Sequence, residues 1–227
     1  MPATRQAREG TVPTVFVVDD DSNVRSALAR LIRVLGMHVE TFASAREFLG
    51  CQRPDGPACL ILDVRLLGED GLQVQGVLQT AAWRPPIIFL TGYGTVPLCV
   101  RAMKRGAVDF LQKPVDDEAL FAAIATALEQ DIQTRTSQQH HAAVRQRFVT
   151  LTPRERDVME LVITGLLNKE IAYALGTSEK TVKAHRAHVM QKMRATSVAE
   201  LVRMAALVER CEPQTARLWS LSYAIYR

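Results

Sequence analysis

Five polar residues stand directly after short apolar segments of this 227-residue chain. They comprise three carboxylates, a hydroxyl and an ammonium group: Asp19, Asp20, Asp63, Thr91 and Lys113. If the apolar segments are neighbouring strands of a parallel sheet, their carboxyl ends lie at the edge where such sheets bind ligands. We therefore expect these five side chains to share one site.

Three carboxylates at one site would repel one another unless a divalent cation lay among them. Oxygen ligands in a small pocket favour Mg²⁺. A cation beside Asp63, with the Lys113 ammonium and the Thr91 hydroxyl, would neutralise the oxygens of a phosphoryl group. A carboxylate can accept that group as an acyl phosphate. Any one of these residues taken singly is better explained as a loop-capping aspartate or a surface lysine. Their joint placement at four strand ends instead favours phosphoryl transfer to an aspartate.

An alternation of strand-like and helix-like segments would position these groups. Strands are predicted where short runs of β-branched and apolar residues occur, at Val15–Val18, Val39–Phe42, Cys59–Leu62, Ile87–Leu90 and Asp109–Leu111. The helices predicted between and after them are Val24–Leu35, Ala45–Leu49, Leu72–Ala81, Val96–Arg105 and Glu118–Leu128. Five β/α units with short loops predict an α/β domain with a doubly wound, five-stranded parallel sheet.

The composition changes in the next segment, residues 129–147. This segment is rich in Gln, Arg, Thr and His and has few large apolar side chains. This composition predicts that the segment is either a linker or a solvent-exposed helical extension, without a buried face of its own. A small acidic excess before this segment gives way to a basic excess after it, so two domains of different chemistry are expected.

The second domain, residues 148–211, is predicted to be entirely helical, and residues 212–227 are a tail for which no structure is predicted. Thr152 and Glu155 have the spacing of a capping box, which starts a helix. Three further helices are predicted: Lys169–Leu175, Ser178–Met193 and Val198–Val208. The first two of these have the spacing of a helix-turn-helix.

The helix Ser178–Met193 has a composition suited to DNA. Its apolar stripe consists of Val182, Val189 and Met193, which leaves four residues facing outward: Thr181, Lys183, Ala184 and Ala187. Further basic charge on this helix comes from Arg186 and Lys192. Small residues allow a helix to approach base edges in the major groove, and basic residues neutralise phosphates. The alternative is a basic face that only contacts solvent.

The first domain resembles the receiver domains of two-component response regulators over residues 14–128. The resemblance rests on four motifs: Val17-Val18-Asp19-Asp20-Asp21, Leu62-Asp63-Val64-Arg65, Leu90-Thr91-Gly92 and Ala107-Val108-Asp109-Phe110-Leu111-Gln112-Lys113-Pro114. It implies a flavodoxin-like fold with Asp63 as the phosphoacceptor. It also implies a cis Lys113-Pro114 bond and a switch pair formed by Thr91 and Phe110.

The same resemblance implies how Mg²⁺ is held. Its ligands would be Asp20, Asp63 and the main-chain carbonyl of Arg65, with Asp19 acting largely through water. The sequence departs from the family at Leu66-Leu67, where Met-Pro or a similar pair is usual, and the missing proline removes a restraint on φ beside Arg65.

The second domain looks like the LuxR-type DNA-binding domain. Three motifs carry this likeness: Leu151-Thr152-Pro153-Arg154-Glu155-Arg156, Asn168-Lys169-Glu170-Ile171-Ala172 and Ser178-Glu179-Lys180-Thr181-Val182-Lys183-Ala184-His185. The resemblance implies that Lys169 and Thr181 contact phosphates and that Lys183, Ala184 and Ala187 approach bases. It also implies a dimer contact on the last helix, at Val198, Leu201, Val202 and Ala205.

Both domains together resemble response regulators of the FixJ/NarL subclass. We therefore expect a DNA-binding transcription regulator, not an enzyme, that a sensor histidine kinase phosphorylates at Asp63. We expect it to bind double-stranded DNA as a homodimer when phosphorylated. The chain lacks a signal peptide and any membrane-length apolar segment, which predicts a cytoplasmic protein without membrane contact. The alternative is a phosphorylation-independent DNA-binding regulator whose receiver is only a protein-interaction module.

Overall fold

The computed structural model describes residues 12–92 and 94–211, so the predicted tail at 212–227 lies outside the described residues. The chain forms two compact units, which divide between Arg135 and Thr136. Among the described residues, no helix is both long and apolar enough to cross a membrane.

The first unit is built on a five-stranded parallel sheet with the strand order β2-β1-β3-β6-β7. In chain order, the elements are β1 (Thr14–Val18), α1 (Ser22–Val34), β2 (His38–Phe42), α2 (Ala45–Leu49), β3 (Ala58–Asp63), β4 (Arg65–Leu66), β5 (Glu69–Asp70), α3 (Gly71–Thr80), β6 (Ile87–Thr91), α4 (Val96–Lys104), β7 (Asp109–Gln112) and α5 (Asp117–Val149). The predicted α/β fold of the receiver type, with helices flanking the sheet, is confirmed.

The sheet is buried on both faces. Successive residues of its central strands are apolar, and they point alternately to one face and to the other. Phe16 and Val18 of β1 pack into one core layer with Phe48 and Phe89. The neighbouring residues of β1 pack into the opposite layer, against α1 and the first turns of α5. β1, β3, β6 and β7 run parallel and side by side, which brings their carboxyl ends to one edge.

A short antiparallel hairpin, β4–β5, follows β3 at the place where the family's proline is missing. Arg65 pairs with Asp70 and Leu66 with Glu69, while Gly68 takes a positive φ of 79° in the turn. Leu66 is buried, and Glu69 accepts a hydrogen bond from the backbone N–H of Ala45 at 3.1 Å. Strand pairing and a buried leucine therefore order this loop without the proline.

Helix α5 continues to Val149, so residues 129–147 are helical throughout. The segment buries no continuous face, but single residues near its two ends are buried. Asp131 is buried in the first unit, and Val144 is buried in the core of the second. The sequence pattern missed these contacts because the buried residues are too few and too widely spaced to form a periodic stripe.

The second unit is helical, as predicted, and its helices after α5 are α6 (Pro153–Ile163), α7 (Asn168–Ala174), α8 (Glu179–Met193) and α9 (Val198–Cys211). Helices α6, α7 and α8 pack around Val158, Ile171 and Val182. The predicted stripe of α8, formed by Val182, Val189 and Met193, is buried.

The predicted dimer contact on α9 needs correction. Leu201 and Ala205 are almost completely buried in the core of their own unit, and Val198 packs against the same core. Only Val202 is substantially exposed, at 41%. Leu201 and Ala205 face inward because they share one helix face with Met204 and Val208, and the unit needs that face to close its own core.

Candidate functional site

The carboxylates of Asp19, Asp20 and Asp63 lie together at the carboxyl edge of the sheet. One oxygen of each lies within 4.8 Å of the others. Asp19 directly follows β1 and Asp63 ends the adjacent strand β3, so the strand pairing brings them together. Asp19 and Asp63 are buried, and Asp20 is half-buried.

Lys113 bridges the two buried carboxylates. Its Nζ lies 2.5 Å from Asp19 Oδ2 and 2.6 Å from Asp63 Oδ2. Burial lowers the pKa of Lys113, but its hydrogen bonds to the two aspartates outweigh this effect and raise the pKa. Lys113 is therefore a cation at neutral pH. The Lys113-Pro114 peptide bond is cis, as expected.

Burial also acts on Asp19. Desolvation raises the pKa of its carboxyl group, while the hydrogen bonds from Lys113 and from the backbone N–H of Asp21 oppose that rise. The Asp21 N–H donates to Asp19 Oδ1 at 3.0 Å. Arg25 Nη1 donates to the Asp19 carbonyl oxygen at 2.6 Å, which holds the loop after β1 against α1.

The backbone around Asp63 is packed tightly. Its Oδ1 accepts a hydrogen bond from the Arg65 N–H at 3.1 Å. Gly71 donates its N–H to the Val64 carbonyl at 2.9 Å. A Cβ at Gly71 would lie 2.5 Å from the Asp63 carbonyl oxygen, so a glycine is required by this close approach.

Thr91 and Phe110, the predicted switch pair, lie on the adjacent strands β6 and β7. Thr91 is 1% exposed, and its carbonyl accepts a hydrogen bond from the Lys113 N–H at 2.8 Å. The ring of Phe110 is partly buried and lies 6.2 Å from that of Phe89. A Cβ at Gly94 would contact the side chains of both Phe110 and Thr91, at 3.1 and 3.7 Å. The side chains of both residues thus lie beside Gly94, and their switching role stays a prediction.

The acidic cluster fits a hard divalent cation. It offers carboxylate oxygens only, from three residues whose oxygens already converge within the span of one ion. Two of the three aspartates are buried, which restricts competition from water. Mg²⁺ matches this donor set, and the part assigned to the Arg65 carbonyl stays a prediction.

The helix-turn-helix of the second unit consists of α7 and α8. The four α8 residues predicted to face outward are all exposed: Thr181, Lys183, Ala184 and Ala187. Lys169 at the start of α7 is exposed as well. Their contacts with DNA stay predictions, but their exposure is what such contacts require.

Two further predicted DNA ligands have partners inside the unit. Arg186 Nη1 donates to Asn168 Oδ1 at 3.1 Å, which connects α8 to α7. Lys192 Nζ lies 2.6 Å from Oε2 of the buried Glu155 and donates to the Thr150 carbonyl at 3.3 Å. Lys192 would have to leave a buried carboxylate to reach a phosphate, so its observed contacts are structural.

Two family models match this chain, one for each unit. Residues 15–125 match the family described as response regulator receiver domain, and residues 149–205 match the luxR family of bacterial regulatory proteins. The chain belongs to the FixJ/NarL-type response regulators, which join a receiver domain to a LuxR-type DNA-binding domain.

The similarity covers most of the chain. This chain is 50% identical to nodulation protein W of Bradyrhizobium diazoefficiens over 86% of both chains. It is 44% identical to the transcriptional regulatory protein FixJ of Azorhizobium caulinodans over 85% of this chain and 92% of that protein. The solved structure of the response regulator StyR is 44% identical, has a TM-score of 0.77 and is matched over 86% of this chain and 99% of that chain.

Proposed function

We propose that the protein is the cytoplasmic transcription regulator of a two-component system, and that a sensor histidine kinase switches it by phosphorylating Asp63. The observation that supports this best is the convergence of Asp63 with the half-buried ammonium group of Lys113 and two further carboxylates at one sheet edge. Phosphorylation would promote dimerisation and binding to double-stranded DNA through α8.

Each residue of the site has a part in the proposed transfer. An oxygen of Asp63 bonds to phosphorus while the bond between phosphorus and the donor's leaving group breaks. Asp19, Asp20 and Asp63 would hold Mg²⁺, which supplies positive charge beside the phosphoryl oxygens when bound. Lys113 is positioned to shift from the free carboxylate to the phosphoryl group. The Thr91 hydroxyl would donate a hydrogen bond to the same group.

The first experiment labels the protein with acetyl phosphate and locates the label by mass spectrometry. We expect Asp63 to be the only labelled residue and the labelling to need Mg²⁺. Asp63→Ala should take up no phosphate, whereas Asp117→Asn, which removes an exposed carboxylate at the start of α5, should label like the parent. A phosphoryl group on Asp63→Ala would refute the assignment.

The second experiment tests the DNA half by footprinting on the promoter beside the protein's own gene. We expect protection that strengthens when the phosphoryl donor is added. Equal protection with and without the donor would instead favour the alternative of a phosphorylation-independent regulator.

A further inference from the structure

Helix α5 carries a buried ion pair that neither the phosphorylation site nor the DNA-binding helices use. Asp131 lies three residues beyond the predicted end of the receiver and is 3% exposed. Arg135, one helical turn later, places its Nε 2.6 Å from Asp131 Oδ2, and its side chain is 13% exposed. Burying a charge costs free energy unless it is paired and hydrogen-bonded, so a pair at this depth depends on its tertiary contacts.

Both side chains bind the backbone that leads into β3. Asp131 Oδ2 also accepts a hydrogen bond from the N–H of Ala58, the first residue of β3, at 2.9 Å. Arg135 Nη1 donates to the carbonyl oxygens of Pro54 and Asp55, at 3.2 and 2.9 Å. Three hydrogen bonds therefore fasten one turn of α5 to the residues around the start of β3.

The same strand has the phosphoacceptor at its other end. β3 runs from Ala58 to Asp63, and each of its six residues is buried. Its residues 58–62 pair with β1, and its residues 60–63 pair with β6. A strand held in this way moves as a unit, because slipping it would break two ladders of hydrogen bonds. The contact with α5 and the site of phosphorylation are thus the two ends of one rigid element.

We propose that Asp131 and Arg135 form a clasp that makes residues 129–135 part of the receiver and couples the state of Asp63, through β3, to the helix that leads out of the receiver. This inference rests on the proposed phosphorylation of Asp63. Thr91 and Phe110 would respond to phosphorylation at the carboxyl end of the sheet. The clasp would add a second route of coupling, from the amino end of β3. Coupling between two sites is reciprocal, so the proposal predicts that opening the clasp changes the response to phosphorylation.

The first test measures hydrogen exchange of the backbone amides of residues 129–135 in the intact, unphosphorylated protein. Asp131→Asn keeps the shape of the side chain and removes its charge. We expect protection of these amides to fall about ten- to a hundredfold, as expected for the loss of a charged hydrogen bond. Glu129→Gln makes the same charge change at an exposed position of the same helix and should leave exchange unchanged. Unchanged exchange in Asp131→Asn would overturn the clasp.

The second test measures the gain in DNA affinity on phosphorylation, with the acyl phosphate on Asp63 quantified in each sample. We expect Asp131→Asn to reduce this gain by at least about fivefold, the lower end of typical coupling, and Glu129→Gln to keep it. Arg135→Lys, which keeps the charge but loses the fork of donors, should act like Asp131→Asn in both tests. Equal gains in all four proteins would overturn the coupling. A parent that is phosphorylated without any gain would refute the proposed function, while the exchange test would still decide the clasp.

Discussion

At the scale of single residues, the proposed phosphorylation of Asp63 depends on how closely this residue is surrounded. Lys113 holds one carboxylate oxygen and the Arg65 N–H holds the other. Gly71 lies against the carbonyl oxygen of the same residue. An acceptor held from both its side chain and its backbone has little orientational freedom to lose when a phosphoryl donor arrives, which is the condition for efficient transfer.

Gly71→Ala tests this packing. The added methyl group would lie 2.5 Å from the Asp63 carbonyl oxygen and 3.0 Å from Val64 Cα, both backbone atoms that cannot move aside cheaply. We expect a loss of about 1–3 kcal/mol in the free energy of unfolding and slower labelling of Asp63 by acetyl phosphate. Urea unfolding and labelling rates measure the two effects.

Gly76→Ala is the matched control, since Gly76 lies on the same helix and a Cβ there meets nothing within 4 Å. Alanine is the better helix former, so this variant should gain up to about 1 kcal/mol and label at the parental rate. If Gly71→Ala were as stable as Gly76→Ala, the close approach at Asp63 would have no energetic consequence.

At the scale of elements, Glu155 joins α6 to α8. Its side chain accepts a hydrogen bond from the Thr152 N–H at 2.8 Å, and the Thr152 hydroxyl accepts one from the Glu155 N–H, which completes the capping box of α6. The same carboxylate pairs with Lys192 near the end of α8. The buried Glu155 therefore caps the start of α6 and holds the end of α8 against it through Lys192.

These contacts predict a dependence on pH. The hydrogen bond from Lys192, followed by that from the Thr152 N–H, lowers the pKa of Glu155 from its usual 4.5 to about 2. A lowered pKa means that the stabilisation is complete above pH 4.5 and is lost as the pH falls towards 2. Glu155→Gln should therefore be less stable than the parent at pH 7, by about 1.5–3 kcal/mol, and this difference should shrink in acid.

Hydrogen exchange of the α6 amides in the intact chain, corrected for the intrinsic effect of pH, measures this difference. Glu179→Gln is the control, since Glu179 pairs with Lys183 on the exposed surface of α8 and such pairs contribute little. If the difference in stability between Glu155→Gln and the parent stayed constant from pH 7 to pH 3, the charge of Glu155 would not contribute to the stability of this unit.

At the scale of the whole molecule, the two units have separate chemistry that the proposed function must connect. The acidic cluster lies in the first unit, and the exposed basic face of α8 lies in the second. A switch needs a contact that differs between the two states, and the proposed hydrogen bond from Thr91 to the phosphoryl group is such a contact. Dimerisation would then raise affinity for an operator with two half-sites through effective concentration.

Two variants separate the switch from the DNA contact. Thr91→Ala should still accept phosphate at Asp63 but lose most of the phosphorylation-dependent gain in DNA binding. Lys183→Ala should weaken binding in both states and leave phosphorylation and dimerisation intact, because it removes only a surface cation. A binding titration with and without phosphoryl donor measures both variants. An unchanged shift in Thr91→Ala would mean that the switch does not depend on this hydroxyl.

The sequence alone was enough for the features that follow from short-range patterns. Apolar runs and helical periodicity predicted each strand of the parallel sheet, and the rule that parallel strands share a carboxyl edge brought Asp19, Asp63 and Lys113 together correctly. The stripe of α8 was predicted from its spacing and is buried. These features are encoded locally because a period of two or of 3.6 residues already determines which side chains share a face.

Only the tertiary structure decided which partner each side chain meets across long separations in the chain. The buried Asp131 accepts a hydrogen bond from the N–H of Ala58, 73 residues earlier in the chain, and Lys192 is held within its unit by Glu155. Leu201 faces the core of its own unit, because that core would remain open without it. Periodicity identifies an apolar or a charged position, but the energy of burial depends on what fills the space opposite, and that is set by the packing of the complete chain.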